Sequence, residues 1–233
     1  MVDFHTHILP GMDDGSQSVE ESVRMLEQMK QQGIDAVAAT SHFDMRQETL
    51  EHFLMRRQRA MEELQKADTT GITILPGAEV LYCGVALHTY ENLEQACIGK
   101  SRYLLVETLF PQWTKNFQSD LEYLMIERNI IPILAHIERY YFVGKNRFIM
   151  RELSTEGAVL QMNAEALLHK QMSRRAWKIL RKEAVSIIGS DCHNLSVRPP
   201  NLGEAMERIE KVLGTEAASR LATRANTMLE GSL

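Results

Sequence analysis

Val2-Asp3-Phe4-His5-Thr6-His7, at the start of the 233-residue chain, is a short apolar run that stops at a pair of imidazoles. One residue separates His5 from His7, so on a strand, where side chains alternate with period two, both rings project from the same side. The arrangement returns near the other end, where the apolar run 185–189 is followed by Asp191 and His193. Five more runs, 36–40, 72–75, 103–106, 131–135 and 158–162, stop at or just before His42, Glu79, Glu107, His136 and Asn163. Each run is apolar on both faces, as a buried parallel strand requires, and helical periodicity fills most of the intervals. Strand then helix, repeated, gives an α/β chain and a closed or nearly closed (β/α) barrel. In such barrels the loops at the C-terminal ends of the strands build the active site, which is where these polar residues fall.

The helices are read from caps and periodicity. Ser18 followed by Glu21 is a capping box, and Val19, Val23, Leu26 and Met29 trace a helix that stops at Gly33. A second runs over residues 48–67, with Phe53, Leu54, Met61 and Leu64 on its apolar side, and closes near Gly71. Further helices are expected over 119–128, 147–156, 172–182, 201–213 and 215–225, with Gly157 and Gly214 as stops. The segment 107–120 is expected to be irregular; its Phe110, Trp113 and Phe117 would either wall a pocket on the barrel rim or simply pack.

The length suits one barrel domain over residues 1–233. A net charge of −5, with Lys and Arg scattered among acidic residues, offers no general basic field for nucleic acid. No apolar run approaches a membrane span, and the chain enters a strand carrying Asp3, His5 and His7 where a signal peptide would lie. Three unpatterned cysteines, Cys83, Cys97 and Cys192, argue against a disulfide framework, so a cytoplasmic location is expected. The residues carry no signal for an oligomeric state.

Imidazoles and carboxylates at successive strand ends suit manganese, iron or zinc better than a thiolate site would. A lone histidine is more often a hydrogen-bonded structural residue, and that reading stands for His52, His88 and His169, which follow no strand. The candidate ligands are His5, His7, Asp14, His42, Glu79, Glu107, His136, Asp191 and His193. A single zinc-like site needs only three or four side chains, so two or three ions are expected. Several dications would reverse the charge of the gathered carboxylates and let an acidic protein attract an anion. Arg139 and Arg198 stand three and five residues after His136 and His193. A guanidinium grips two phosphate oxygens at once, which points to a phosphate ester attacked by cation-activated hydroxide.

The ordered motifs His5-Thr6-His7, Asp13-Asp14-Gly15, Ser41-His42, Gly77-Ala78-Glu79, His136-Ile137-Glu138-Arg139-Tyr140, Gln161-Met162-Asn163 and Ser190-Asp191-Cys192-His193-Asn194 resemble those of the polymerase and histidinol phosphatase (PHP) superfamily. Within it, His5-Thr6-His7-Ile8-Leu9-Pro10-Gly11, the His136 to Tyr140 segment and Arg198-Pro199-Pro200 resemble the CpsB/CapC branch, bacterial metal-dependent protein-tyrosine phosphatases. The likeness spans nearly the whole chain. It implies a distorted TIM-like (β/α)7 barrel, the PHP fold, with up to three divalent ions, manganese first and iron, zinc, magnesium or cobalt as alternatives. It also implies one ion on His5, His7, Glu79 and Asp191, a second on Glu79, Glu107 and His136, and a third on Asp14, His42 and His193. Arg139 and Arg198 would bind the phosphate. The implied partner is a tyrosine-phosphorylated protein, the tail of a bacterial tyrosine autokinase that controls capsule or exopolysaccharide synthesis.

Four other readings compete. A histidinol-phosphatase-type enzyme acting on small phosphoesters would share the metal site. An amidohydrolase also opens on a His-x-His strand, but commonly has lysine where Glu107 stands. A regulatory domain that binds the kinase without hydrolysis would keep the fold. Cys192 and Arg198 match the spacing of a cysteine phosphatase, yet the intervening residues hold no glycine to form a backbone phosphate cradle, and alternation turns Cys192 away from Asp191 and His193. Asp13, Glu138 and His42 are the candidates for a general acid.

Overall fold

The computed structural model describes residues 1–169, 173–182 and 184–232. Its strands are β1 (Val2–Thr6), β2 (Ala36–Ala39), β3 (His42–Phe43), β4 (Thr73–Pro76), β5 (Glu79–Tyr82), β6 (Tyr103–Thr108), β7 (Ile131–Leu134), β8 (Val159–Asn163) and β9 (Ile187–Gly189). The helices are α1 (Val19–Gln31), α2 (Leu50–Ala67), α3 (Lys115–Glu127), α4 (Asn146–Glu156), α5 (Glu165–Leu168), α6 (Ser173–Leu180), α7 (Leu202–Leu213) and α8 (Thr215–Glu230).

All strand pairs are parallel, in the orders β1-β2-β4 and β3-β5-β6-β7-β8-β9. The second and third expected strands are each bent in two. Residues 40–41 break the line from β2 to β3, and Gly77-Ala78 break it from β4 to β5. A side chain at Gly77 would meet Ile98 Cγ1 at 3.0 Å and Thr40 Cγ2 at 3.2 Å, so the adjacent bends nest only with glycine there. At the other seam Thr6 bridges Cys192, with Asp191 N–H donating to His5 O at 2.8 Å and His7 N–H donating to Cys192 O at 2.9 Å. The result is a curled parallel α/β sheet of the TIM-like kind, with two strands split by bends.

Leu105, Ile133, Val159 and Ile187 belong to one buried cluster, floored by Ala225 and Met228 of α8. Two residues further along the same strand faces Leu105 gives way to Glu107 and Val159 to Gln161, so polar groups enter at one end. The larger cluster lies against the helices and includes Met25 and Leu26 of α1, Phe53 and Leu64 of α2, and Leu121 and Leu124 of α3.

Ser18 caps α1 as expected, accepting from Glu21 N–H at 3.2 Å, while Glu21 reaches back to Gln17 N–H at 3.0 Å. Helix α3 begins four residues before its expected start, because Thr114 is its cap and accepts from Phe117 N–H at 3.3 Å. Trp113 and Phe117 are therefore core, 5.2 Å apart ring to ring, whereas Phe110 is exposed. Helix α8 runs beyond residue 225 to Glu230, since Met228 packs on the cluster beneath the sheet. The expected start at Met172 lies outside the described residues. Among the described residues no helix is long and apolar enough to cross a membrane.

Candidate metal centre

The strand ends bring all nine candidate ligands together. His5 lies within β1 and His7 just beyond it, and their Nε2 atoms approach to 3.3 Å. The β3–β5 register sets His42 beside Glu79, and the β5–β6 register sets Leu81 beside Glu107. His136 and Asp191 follow β7 and β9 in left-handed backbone, at φ 35° and 54°. Such conformations cost about 1–3 kcal/mol each in a residue with a side chain. Here they turn the two side chains into the cluster.

Three sets of donor atoms each lie within 4.8 Å of one another: His5, His7, Glu79 and Asp191; His7, Asp14, His42 and His193; and His42, Glu79 and Glu107. In the first, His5 Nε2 is 3.2 Å from both Glu79 Oε2 and Asp191 Oδ1. His136 Nε2 stands 3.2 Å from Glu79 Oε1 and 3.4 Å from Glu107 Oε2, and His193 Nε2 is 3.4 Å from Asp14 Oδ1. His7 and His42 each belong to two sets, so the sets form one continuous cluster with Glu79 at its middle.

The donors fit divalent cations. Two imidazole lone pairs facing each other beside two carboxylates repel unless protons or metal ions lie between them. Glu79 Oε2 and His193 Nε2 are moreover buried without a hydrogen bond, a state that normally costs 1–3 kcal/mol or more per group. Without ions, protons take their place. Burial opposes charge on His42, but Glu107 and Glu79 outweigh it and raise its pKa to about 10. The same opposition, settled the same way by the same carboxylates, raises His136 to about 9. Burial opposes ionisation of Glu79 too, but His5, His136 and His42 hold it well below the usual carboxylate range. His193 goes the other way: burial, with the charges of His7 and Arg198, lowers it to about 4.

Both arginines reach the cluster. Arg198 Nη2 is 2.8 Å from Asp191 Oδ1, and Arg139 Nη2 is 3.4 Å from Asp191 Oδ2. Asn194 folds the loop that presents Arg198, its Oδ1 accepting from Val197 N–H at 2.8 Å and Arg198 N–H at 3.1 Å. A cleft of about 430 Å³ opens beside the cluster, lined in part by Asp14, His42, Arg46, Arg56, Leu81 and Glu107.

Asp13 is not free to deliver a proton. It accepts from His7 Nδ1 at 2.8 Å, from His42 N–H at 2.8 Å and from Gly15 N–H at 2.9 Å. It thus orients one ligand ring and the backbone of another, a role that sequence reading missed. Asn163 stands at its strand end as expected, whereas Asn194 and Gln161 were missed as site residues. Cys192 is buried, and burial pushes its thiol up to about 12, which leaves no thiolate near neutral pH. His52 and His88 are held by Glu48 and Asp120, at 2.6 Å and 2.5 Å.

The family model described as capsular polysaccharide synthesis, CpsB/CapC, matches residues 1–230. Tyrosine-protein phosphatase CpsB of Streptococcus pneumoniae is 32% identical over 235 residues, covering 95% of this chain and 94% of that protein. Tyrosine-protein phosphatase YwqE of Bacillus subtilis (strain 168) is 27% identical over 238 residues, covering 98% and 91%. A solved structure from the pair YwqE of Bacillus subtilis and CpsB of Streptococcus pneumoniae, metal-dependent tyrosine phosphatases, superposes with a TM-score of 0.81 at 24% identity, covering 100% and 96%.

Proposed function

Because the chain belongs to the CpsB/CapC family, we propose that it is a metal-dependent protein-tyrosine phosphatase that hydrolyses phosphotyrosine in a protein of the capsule or exopolysaccharide machinery. The observation that carries this reading is the convergence of two guanidinium groups on Asp191, a carboxylate of a cluster whose donor sets could hold metal ions.

His5, His7, Glu79 and Asp191 would hold one ion, Glu79, Glu107 and His136 a second, and Asp14, His42 and His193 a third, with manganese the first choice. Bound there, the ions would bring water toward ionisation near neutral pH and draw charge from the phosphoryl oxygens. Arg139 and Arg198 would turn from Asp191 to those oxygens and hold the ester in line for attack. Oxygen from water would bond to phosphorus as the bond from phosphorus to the phenolic oxygen breaks, one proton of the water passing to the phenolate and the other staying on the released hydrogen phosphate. A phenol, with a pKa near 10, leaves with little help, so the engagement of Asp13 elsewhere is no obstacle.

The tail of a tyrosine autokinase is the partner this reading favours, and the free Cys83, Cys97 and Cys192 suit the cytoplasm. The test compares turnover of a phosphotyrosine peptide with that of histidinol phosphate, in manganese, for the native chain and His136→Ala. Preference for the peptide, lost in the variant, supports the reading. Preference for histidinol phosphate would make the chain a small-molecule phosphatase, and no hydrolysis of either would leave a binding domain.

A further inference from the structure

β8 supplies no member of the metal cluster, yet its end is polar and buried. Gln161 and Asn163, two residues apart on one face, are almost inaccessible. Gln161 Oε1 accepts from the backbone N–H of His136 at 2.7 Å and faces His5 Nδ1 at 3.3 Å. Because a backbone N–H can only donate, the atom facing it is the amide oxygen, and the orientation of the whole amide follows. Gln161 Nε2 then donates to Asn163 Oδ1 at 2.9 Å, which leaves Asn163 Nδ2 to donate to Asp191 Oδ2 at 2.6 Å. Each link dictates the next.

We propose that Gln161 and Asn163 are positioning residues, an amide relay that sets the orientation of three ligands, His5, His136 and Asp191, before any ion arrives. An acceptor at His5 Nδ1 requires the proton on that nitrogen and so turns the Nε2 lone pair toward Glu79 and Asp191. The bond to His136 N–H braces the left-handed backbone from which that ring projects. The bond to Asp191 Oδ2 fixes the carboxylate with Oδ1 3.2 Å from His5 Nε2, where a cation would take it over from Arg198, 2.8 Å away. Gly189 makes the room: a side chain there would meet both Gln161 Nε2 and His5 Cβ at 2.9 Å.

The inference rests on the reading of His5, His136 and Asp191 as ligands, and its test separates the two. Manganese binding to chelator-treated protein is measured by calorimetry for the native chain, Gln161→Leu and Gln161→Glu. Second-sphere partners of this kind change affinity by about 10–100-fold, so Gln161→Leu is expected to bind that much more weakly. Gln161→Glu keeps the acceptor toward His136 N–H and His5 Nδ1 but cannot donate to Asn163, so it should bind more tightly than Gln161→Leu and more weakly than the native chain. Equal affinity of native and Gln161→Leu protein, or no recovery in Gln161→Glu, would overturn the relay. No manganese binding by the native chain would instead overturn the ligand reading. Should Gln161→Leu fail to fold, nitrogen NMR of the zinc-loaded native protein decides: His5 protonated at Nδ1 is expected, and metal at Nδ1 would overturn the proposal.

Discussion

Arg198 and Asp191 are joined at 2.8 Å between Nη2 and Oδ1, which ties a guanidinium directly to a carboxylate of the candidate metal cluster. Arg139 approaches the other oxygen of the same carboxylate at 3.4 Å. On the proposed reading, a phosphate arriving beside the arginines would exchange one anionic partner for another, so each guanidinium would have only to turn from Asp191 to the ester.

Replacing Arg198 with Ala is therefore expected to lower kcat/KM for a phosphotyrosine peptide about 10²–10³-fold, the usual loss for one donor to a developing oxyanion. Arg198→Lys should recover little, because an ammonium cannot match the planar fork. Steady-state kinetics in saturating manganese checks both, and full activity in Arg198→Ala would remove the arginine from the phosphate site.

Metal binding should release protons. Without ions His136 titrates at about 9 and His42 at about 10, so both are protonated at pH 7 and must become neutral to coordinate. Affinity should consequently rise with pH from 6 to about 9, by roughly one tenfold step per unit for the ion on His136 and one for the ion on His42 if these two rings alone contribute, and flatten as the rings lose their protons unaided. Calorimetry in buffers of different ionisation enthalpy counts the protons. A pH-independent affinity would contradict the assignment of His42 and His136.

Cys192→Ser should retain most of the activity, while a chelator should abolish it. The thiol is buried and titrates only at about 12. Assays of the variant and of chelated native protein suffice, and the opposite pattern would make the thiol the nucleophile.

Gly189→Ala is expected to weaken metal binding and to destabilise the fold by about 1–3 kcal/mol, the common range for overpacking. Its Cβ would stand 2.9 Å from His5 Cβ and from Gln161 Nε2. Denaturant unfolding and manganese titration read the two effects, and a native-like result in both would show that this corner yields easily.

Much of the barrel was legible because buried parallel strands are apolar on both faces and end abruptly at polar residues, and His5-Thr6-His7 shows its period of two without help. The bends at residues 40–41 and 77–78 were not, since β2 to β5 are only two to four residues long and alternation has no length in which to show. Helix α8 passes its expected end at residue 225 because Met228, beyond the polar Asn226 and Thr227, is buried. The charged groups of the site stood out by residue type. Gln161 did not, and Asp13 and Asn163 were legible as residues of the site but not in their roles, because those come from partners elsewhere in the sequence, such as His42 for Asp13, His5 for Gln161 and Asp191 for Asn163. A buried amide looks like any other until the strands are closed.

On the proposed reading, imidazoles and carboxylates from distant strand ends would hold several divalent ions. Crystals grown in manganese, with an anomalous-scattering map and elemental analysis of the same protein, count those ions and locate them. The expected map shows two or three peaks, one among His5, His7, Glu79 and Asp191 and the others reached by Glu107, His136, His42, Asp14 and His193. An empty cluster at saturating manganese, or peaks elsewhere on the molecule, would contradict it.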